Sequence, residues 1–180
     1  MRKSIKIGAK DIRKLREATN AGVMDCKQAL ETAHGDFDKA MQALRKRGIA
    51  IAAKKSSRQA KEGRIESYVH LHNKIGVLLE VNCESDFVAR CEDFKRFTKD
   101  LAMQIAALNP SYLKKEDLPK SIVKEHKDRL EDFYKRSCLL EQTFIKNDKQ
   151  TIKDYLIEII AKVGENIVIR RFVRFQLGEE

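Results

Sequence analysis

The chain has 180 residues, 42% of them hydrophobic, and a formal net charge of +10, enough for one or two small domains with a buried core. No apolar run approaches the roughly 18 to 20 residues that cross a bilayer, and the start "MRKSIKIGAKDIRKL" has basic residues but no apolar signal core. A cytoplasmic protein is expected, with no membrane partner, and the scattered Cys26, Cys83, Cys91 and Cys138 read as intracellular thiols rather than a disulfide frame. Charge is uneven: residues 1–63 hold 16 Lys/Arg against 7 Asp/Glu, and residues 64–180 hold 21 against 20. A basic front suits RNA or an acidic protein surface, and equally a solvated face that aids solubility.

In chain order, residues 9–48 read as three short helices. Ile12, Leu15 and Thr19 share the first helical face, and Asn20-Ala21-Gly22 breaks it. Cys26, Ala29 and Leu30 line the second, which Gly35 ends, and Asp36 caps the third. Phe37, Ala40, Met41 and Leu44 line that third helix, and Gly48 is expected to close it. A bundle of about 40 residues sits at the lower limit of independent folding. The segment "IAIAAKKSSRQAKEG" begins helix-like and becomes a polar, basic linker.

The pattern then changes period. "RIESYVHLH" alternates, with Ile65, Ser67, Val69 and Leu71 on one face, and "NK" turns into the almost wholly apolar "IGVLLEVNC". This predicts an antiparallel hairpin whose second strand is central in its sheet. From Glu92 to Leu108, Phe94, Phe97, Leu101, Ile105 and Leu108 step by three and four, and Asn109-Pro110 stops the helix. "SYLKKEDLP" reads as an ordered loop or short strand, residues 120–136 as a charged helix with a thin apolar stripe, and "LLEQTFIKN" as extended. A helix is expected from Lys149 to Val163, then a strand "NIVIRRFVRFQL" whose alternation slips at Arg170-Arg171, as a bulge would make it. The fold class is α+β: a three-helix module over 1–50, a linker over 51–63, and over 64–180 an antiparallel sheet of about three strands packed with helices.

Chemistry is sparse. The sequence lacks G-x-x-x-x-G-K-[ST], G-x-G-x-x-G and H-E-x-x-H. Cys83 and Cys91 stand eight apart without a C-x-x-C, and His70 and His72 lack a third ligand at matching spacing, so no metal or cofactor is expected. Cys26 has Lys27 beside it but no base, which argues against a thiol nucleophile. A binding protein is favoured over an enzyme. The stretch "CESDFVARCEDF" is the candidate site. Phe87 there is either the first packed residue of a helix or an apolar wedge for a partner, with Asp86 placed to cap the helix.

Several of these stretches resemble one family. "AGVMDCKQAL" with "GDFDKAMQALRKRG", "EVNCESDFVAR", "CLLEQTFIKND", "KVGENIVIRRFVRF" and the final "GEE" match, in order, the bacterial elongation factor Ts family in its short form. Ser85 stands where the family usually has Thr, Thr143 where it has Pro, and Asn20 where Gly is common; the stretch from Pro119 to Cys138 is shorter than usual. The resemblance implies a ubiquitin-associated-type fold for the helical module and guanine-nucleotide exchange on elongation factor Tu. It implies that Asp86, Phe87 and Val88 enter the partner's G domain near its magnesium, and that Arg16, Met24 and Asp25 touch the same domain. It implies no direct contact with nucleic acid. Short members pair into homodimers, which leaves a homodimer open here. The alternatives are a basic RNA-binding protein of the translation apparatus, short of the aromatics a stacking platform needs, and a thiol or metal enzyme using Cys83, Cys91 and His70.

Overall fold

A computed structural model describes residues 7–179. The basic start, residues 1–6, and Glu180 of the closing "GEE" lie outside them. The chain forms two compact units: Met1–Ser57 with Ile157–Asn166, and Arg58–Leu156 with Ile167–Glu180.

Three helices make most of the first unit: α1 (Ala9–Thr19), α2 (Val23–Thr32) and α3 (Phe37–Lys55). Asn20 ends α1 in the left-handed region, φ 51°, with its N–H on the Arg16 carbonyl. That backbone favours Gly and tolerates Asn. Asp36 caps α3 by accepting from the Lys39 N–H at 3.0 Å, as the sequence indicates. Leu15, Cys26, Ala29, Leu30 and Ala40 are buried among Ile12, Phe37, Met41 and Leu44. Gly48 does not close α3; the helix runs through it to Lys55. Gly48 is buried, and a Cβ there would lie 3.3 Å from Ile157 Cγ2. The missing side chain makes room for a neighbouring helix rather than for a turn.

The second unit follows as β1 (Glu62–Val69), β2 (Ile75–Cys83), α4 (Asp86–Arg90), α5 (Glu92–Leu108), α6 (Lys120–Glu125), α7 (Leu130–Ser137), β3 (Thr143–Phe144), β4 (Asn147–Thr151), the first half of α8 (Ile152–Val163) and β5 (Val168–Gln176). Its main sheet is antiparallel in the order β1-β2-β5, so β2 is central as its apolar run implies. The strand β5 skips Arg170 between Ile169, opposite Val81, and Arg171, opposite Glu80, and the predicted bulge is there. The helix α5 has the bounds its apolar period predicts.

Three expectations need correction. Residues 120–136 are not one helix: α6 and α7 are separated by a 3-10 turn at Lys127–Arg129, with His126 stacked on Phe133 at 4.2 Å. Residues Lys149–Thr151 belong to β4, and α8 starts at Ile152. There Thr151 and Asp154 exchange hydrogen bonds, Thr151 N–H to Asp154 Oδ2 at 3.2 Å and Asp154 N–H to Thr151 Oγ1 at 3.1 Å, a reciprocal cap. The hairpin between β1 and β2 is also longer than "NK": Leu71–Asn73 form a 3-10 turn with His72 and Asn73 at positive φ.

Helix α5 lies against β1 and β2. Phe94, Phe97, Leu101 and Ile105 from α5 and Val77, Leu79 and Val81 from β2 are buried. Beside them a polar network ties α5 to the chain that carries β3. Gln104 Nε2 donates to Gln142 Oε1 (3.2 Å) and to the Thr143 carbonyl (3.0 Å), and Ile145 N–H donates to Gln104 Oε1 (2.9 Å). Asp100 accepts from Tyr155 Oη at 3.0 Å and pairs with Lys146 at 2.7 Å.

In the first unit, Glu158 accepts from Asn20 Nδ2 at 2.6 Å. Burial pushes its pKa up, against smaller lowering effects from Asn20 and Lys162. A carboxyl raised on folding favours the folded state while protonated, and that contribution is lost as pH rises through the folded value. Glu158→Gln keeps an acceptor for Asn20 and removes the charge. It is expected to raise the melting temperature at pH 7 and to leave it unchanged below the unfolded-state value of about 4.3, as scanning calorimetry at both pH values will show.

Candidate partner-binding site

The corner after β2 is built by short-range hydrogen bonds. Cys83 Sγ donates to the Ser85 carbonyl at 3.1 Å, and Glu84 pairs with Arg58 at 3.3 Å. Ser85 is extended, and its Oγ accepts from the Val88 N–H at 3.4 Å. Ser85, not Asp86, is therefore the N-cap of α4, and a hydroxyl at this position does what the family's Thr would do. One turn later Cys91, again extended, ends α4 with its N–H on the Val88 carbonyl and starts α5 by accepting from the Phe94 N–H on Sγ at 3.5 Å. Two caps bracket a five-residue helix.

That bracketing decides where each side chain points. Val88 and Ala89 are half-buried, with α4 seated against β1 and β2. Phe87 points away and is 84% exposed, the largest exposed fraction among the large apolar side chains described. A ring of this size gains about 1.5–3 kcal/mol on burial, so the free protein forgoes that energy at one rigid point. Asp86 faces solvent and pairs with Arg90 one turn on, at 2.9 Å. Of the two readings of Phe87 open from the sequence, the geometry excludes the packed helix start.

The helical unit has its own exposed set. Arg16 lies on the last turn of α1, and Met24, 71% exposed, on the first turn of α2 next to the exposed Val23. Asp25 is engaged within its own unit: Arg47 Nη2 contacts its Oδ1 at 3.0 Å, while Arg47 Nη1 reaches Gln28 at 3.3 Å. Sequence reasoning singled out Arg16, Met24 and Asp25 but missed Val23 and Arg47. The run "GVMD" at a helix start after Gly22 was the available signal for Val23.

The thiols are not arranged for chemistry. Cys26, Cys83 and Cys138 are buried and Cys91 is half-buried. Burial pushes the Cys26 thiol up and, with Glu141 adding to it, pushes Cys138 up to about 11. His70 is engaged at Nδ1 by Tyr68 Oη, 3.0 Å away. Among the described residues no three His, Cys, Asp or Glu side chains cluster as metal ligands, and no helix is long and apolar enough to cross a membrane.

A second surface is larger. Because Val77, Leu79 and Val81 face α5, register puts their β1 partners Tyr68, Glu66 and Arg64 on that inner side. Glu66 is satisfied there by Arg64 at 3.0 Å and by Thr98 Oγ1 at 2.8 Å. The apolar alternation of β1 therefore faces out, against the usual expectation. Ile65, Val69, Leu78, Val173 and Phe175 form an exposed outer face. Nothing lies within 4 Å of where a Gly76 Cβ would stand, between Val69 and Phe175 in the paired strands.

An α+β chain that carries an uncovered aromatic ring on a doubly capped corner has the make-up of a protein-binding factor. The comparisons with known proteins agree. The profile of the family "Elongation factor TS" matches residues 9–132 and 126–179. Elongation factor Ts of Caldanaerobacter subterraneus subsp. tengcongensis is 50% identical over 195 residues, covering 96% of this chain and 98% of its own. Those of Thermodesulfovibrio yellowstonii, 50% over 194 residues (96% and 97%), and Carboxydothermus hydrogenoformans, 50% over 190 residues (93% and 88%), are similar. The chain belongs to the elongation factor Ts family and is a translation elongation factor of that kind. The two profile segments meet at residues 126–132, inside the stretch between Pro119 and Cys138 that the sequence marks as short. An alignment of 195 residues against a chain of 180 requires gaps in this chain.

In native protein at pH 8 an aromatic disulfide reagent is expected to label Cys91 rapidly and Cys26, Cys83 and Cys138 only after denaturation, since burial blocks access and suppresses the thiolate. Peptide mapping by mass spectrometry distinguishes one labelled thiol from four.

Proposed function

We propose that this factor accelerates release of GDP from elongation factor Tu, with the Phe87 ring as the wedge. One observation carries the reading: a large aromatic side chain is held outward by a corner capped on both sides, where a packed helix start would have buried it. A rigid ring enters an apolar cleft at low cost in conformational entropy. Asp86 and the half-buried Val88 complete the signature, and Val88 anchors what Phe87 presents.

The mechanism is linkage, with no covalent step. A G domain holds GDP through its phosphates and magnesium. A factor that binds the nucleotide-free state better than the loaded state weakens nucleotide binding by the same factor that nucleotide weakens its own. Phe87 displaces a helix near the magnesium and loosens the phosphate loop. Arg16 and Met24 grip the G domain from the helical unit. Asp25, tied to Arg47, orients the first turn of α2 beneath Met24. Incoming GTP reverses the sequence and expels the factor. Phe87→Ala is expected to slow GDP release about thirtyfold or more, the effect of losing a central hot-spot side chain, while the melting temperature is unchanged. Stopped-flow release of a fluorescent GDP tests this, and release at the unaltered rate refutes the wedge.

The outer sheet face supports the homodimer. Its two-dimensional pattern, apolar at Val69, Leu78, Val173 and Phe175 with the Glu80–Arg171 pair (2.7 Å) at one end, suits self-association about a two-fold axis, where the same patch serves both copies. The hollow at Gly76 has room for a ring from the second copy. Phe175→Asp, at a side chain 66% exposed in one chain, is expected to convert dimer to monomer in sedimentation velocity without unfolding the protomer.

A further inference from the structure

Resting on the reading of Phe87 as the exchange wedge, we infer that Arg90 is a further contact residue of that site, and that the rim of the partner's apolar cleft carries a protein carboxylate to receive it. At about 100° per residue, Arg90 lies around the axis of α4 between Asp86 and Phe87, one turn further along. It therefore stands at the foot of the ring. A surface that closes over Phe87 covers Arg90 as well, because residues three apart are neighbours on a helix.

The Asp86–Arg90 pair does not hold the corner. Its side chains are 53% and 80% exposed, the range in which ion pairs contribute almost nothing to stability. The caps from Ser85 and Cys91 and the Cys83 hydrogen bond fix the backbone instead. In the pair one guanidinium nitrogen meets one carboxylate oxygen, whereas the guanidinium is a planar fork of five donors that matches a carboxylate in two bonds. Docking removes water from both charges. An arginine covered without a second acceptor loses its hydration for one weak bond, so the covering surface must supply an anion. Position selects its source. The ring reaches into the cleft while Arg90 stays at the base of the helix turn, level with the cleft's edge, which points to a side-chain carboxylate of the partner protein rather than to a nucleotide phosphate at depth. Exchange of Arg90 to that carboxylate frees Asp86 for a donor on the same surface.

The test uses the full chain with elongation factor Tu, both nucleotide-free and loaded with fluorescent GDP, and the variants Phe87→Ala, Arg90→Ala, Arg90→Lys and Arg90→Glu. The expected result is an affinity for nucleotide-free partner about tenfold or more weaker in Arg90→Ala, partial recovery in Arg90→Lys, a larger loss in Arg90→Glu, and a shallower salt dependence of association in Arg90→Ala. Melting temperatures stay at the wild-type value, which separates contact from structure. If Phe87→Ala impairs release while all three Arg90 variants bind as wild type, Arg90 is a bystander and the inference fails with the wedge intact. If the Arg90 effect exists only with GDP bound, the anion is a phosphate and the inference is overturned. If Phe87→Ala releases GDP normally, the wedge itself is lost, and the inference with it.

Discussion

A three-stranded sheet has two faces, and one helix covers only one of them. Most of what this chain presents follows from that limit. Helix α5 takes the inner face, where Val77, Leu79 and Val81 demand cover, and the alternation of strands then sends every second residue outward. The outer face keeps its apolar side chains because register, not hydrophobicity, assigned them there. The same seating of α5 sets the corner. The chain must leave β2, turn, and enter α5 within a few residues, and α4 with its two caps is the connection.

Much of this architecture was legible from pattern. The bounds of α5, the central place of β2, the cap at Asp36 and the bulge at Arg170 each rest on a local signal strong enough to survive folding. The misreadings share a different cause. Gly48 looks like a stop, but its meaning depends on Ile157, more than a hundred residues away. The strand β1 seems to offer Ile65 and Val69 to a core, yet the direction it faces is decided by its partner β2. At Ser85-Asp86 both residues are good caps, and only backbone geometry tells which one accepts from Val88. Local signals report propensity, and neighbours decide orientation.

The candidate site was legible to the same degree. Phe87 was placed in a stretch worth asking about, but periodicity alone left it between core and surface. Its exposure comes from the short span between two caps, which leaves too few residues for the ring to turn under. Arg90 carried no signal in the sequence, where i,i+4 acid–base pairs are routine on helices. Its interest comes from where the ring ends up. Asp25 illustrates the reverse, since a residue marked for a partner is partly engaged by Arg47 of its own unit.

The first unit takes residues from both ends of the chain, Met1–Ser57 and Ile157–Asn166. Synthesis runs from the N-terminus, and domains tend to fold as they emerge. Here the three leading helices leave the ribosome early with the groove at Gly48 still open, and the segment that fills it is among the last to be made. A chain truncated by premature termination therefore carries an unfinished module at its front, an exposed seam that quality-control proteases and chaperones can recognise. Completion of translation is written into the packing of this small unit.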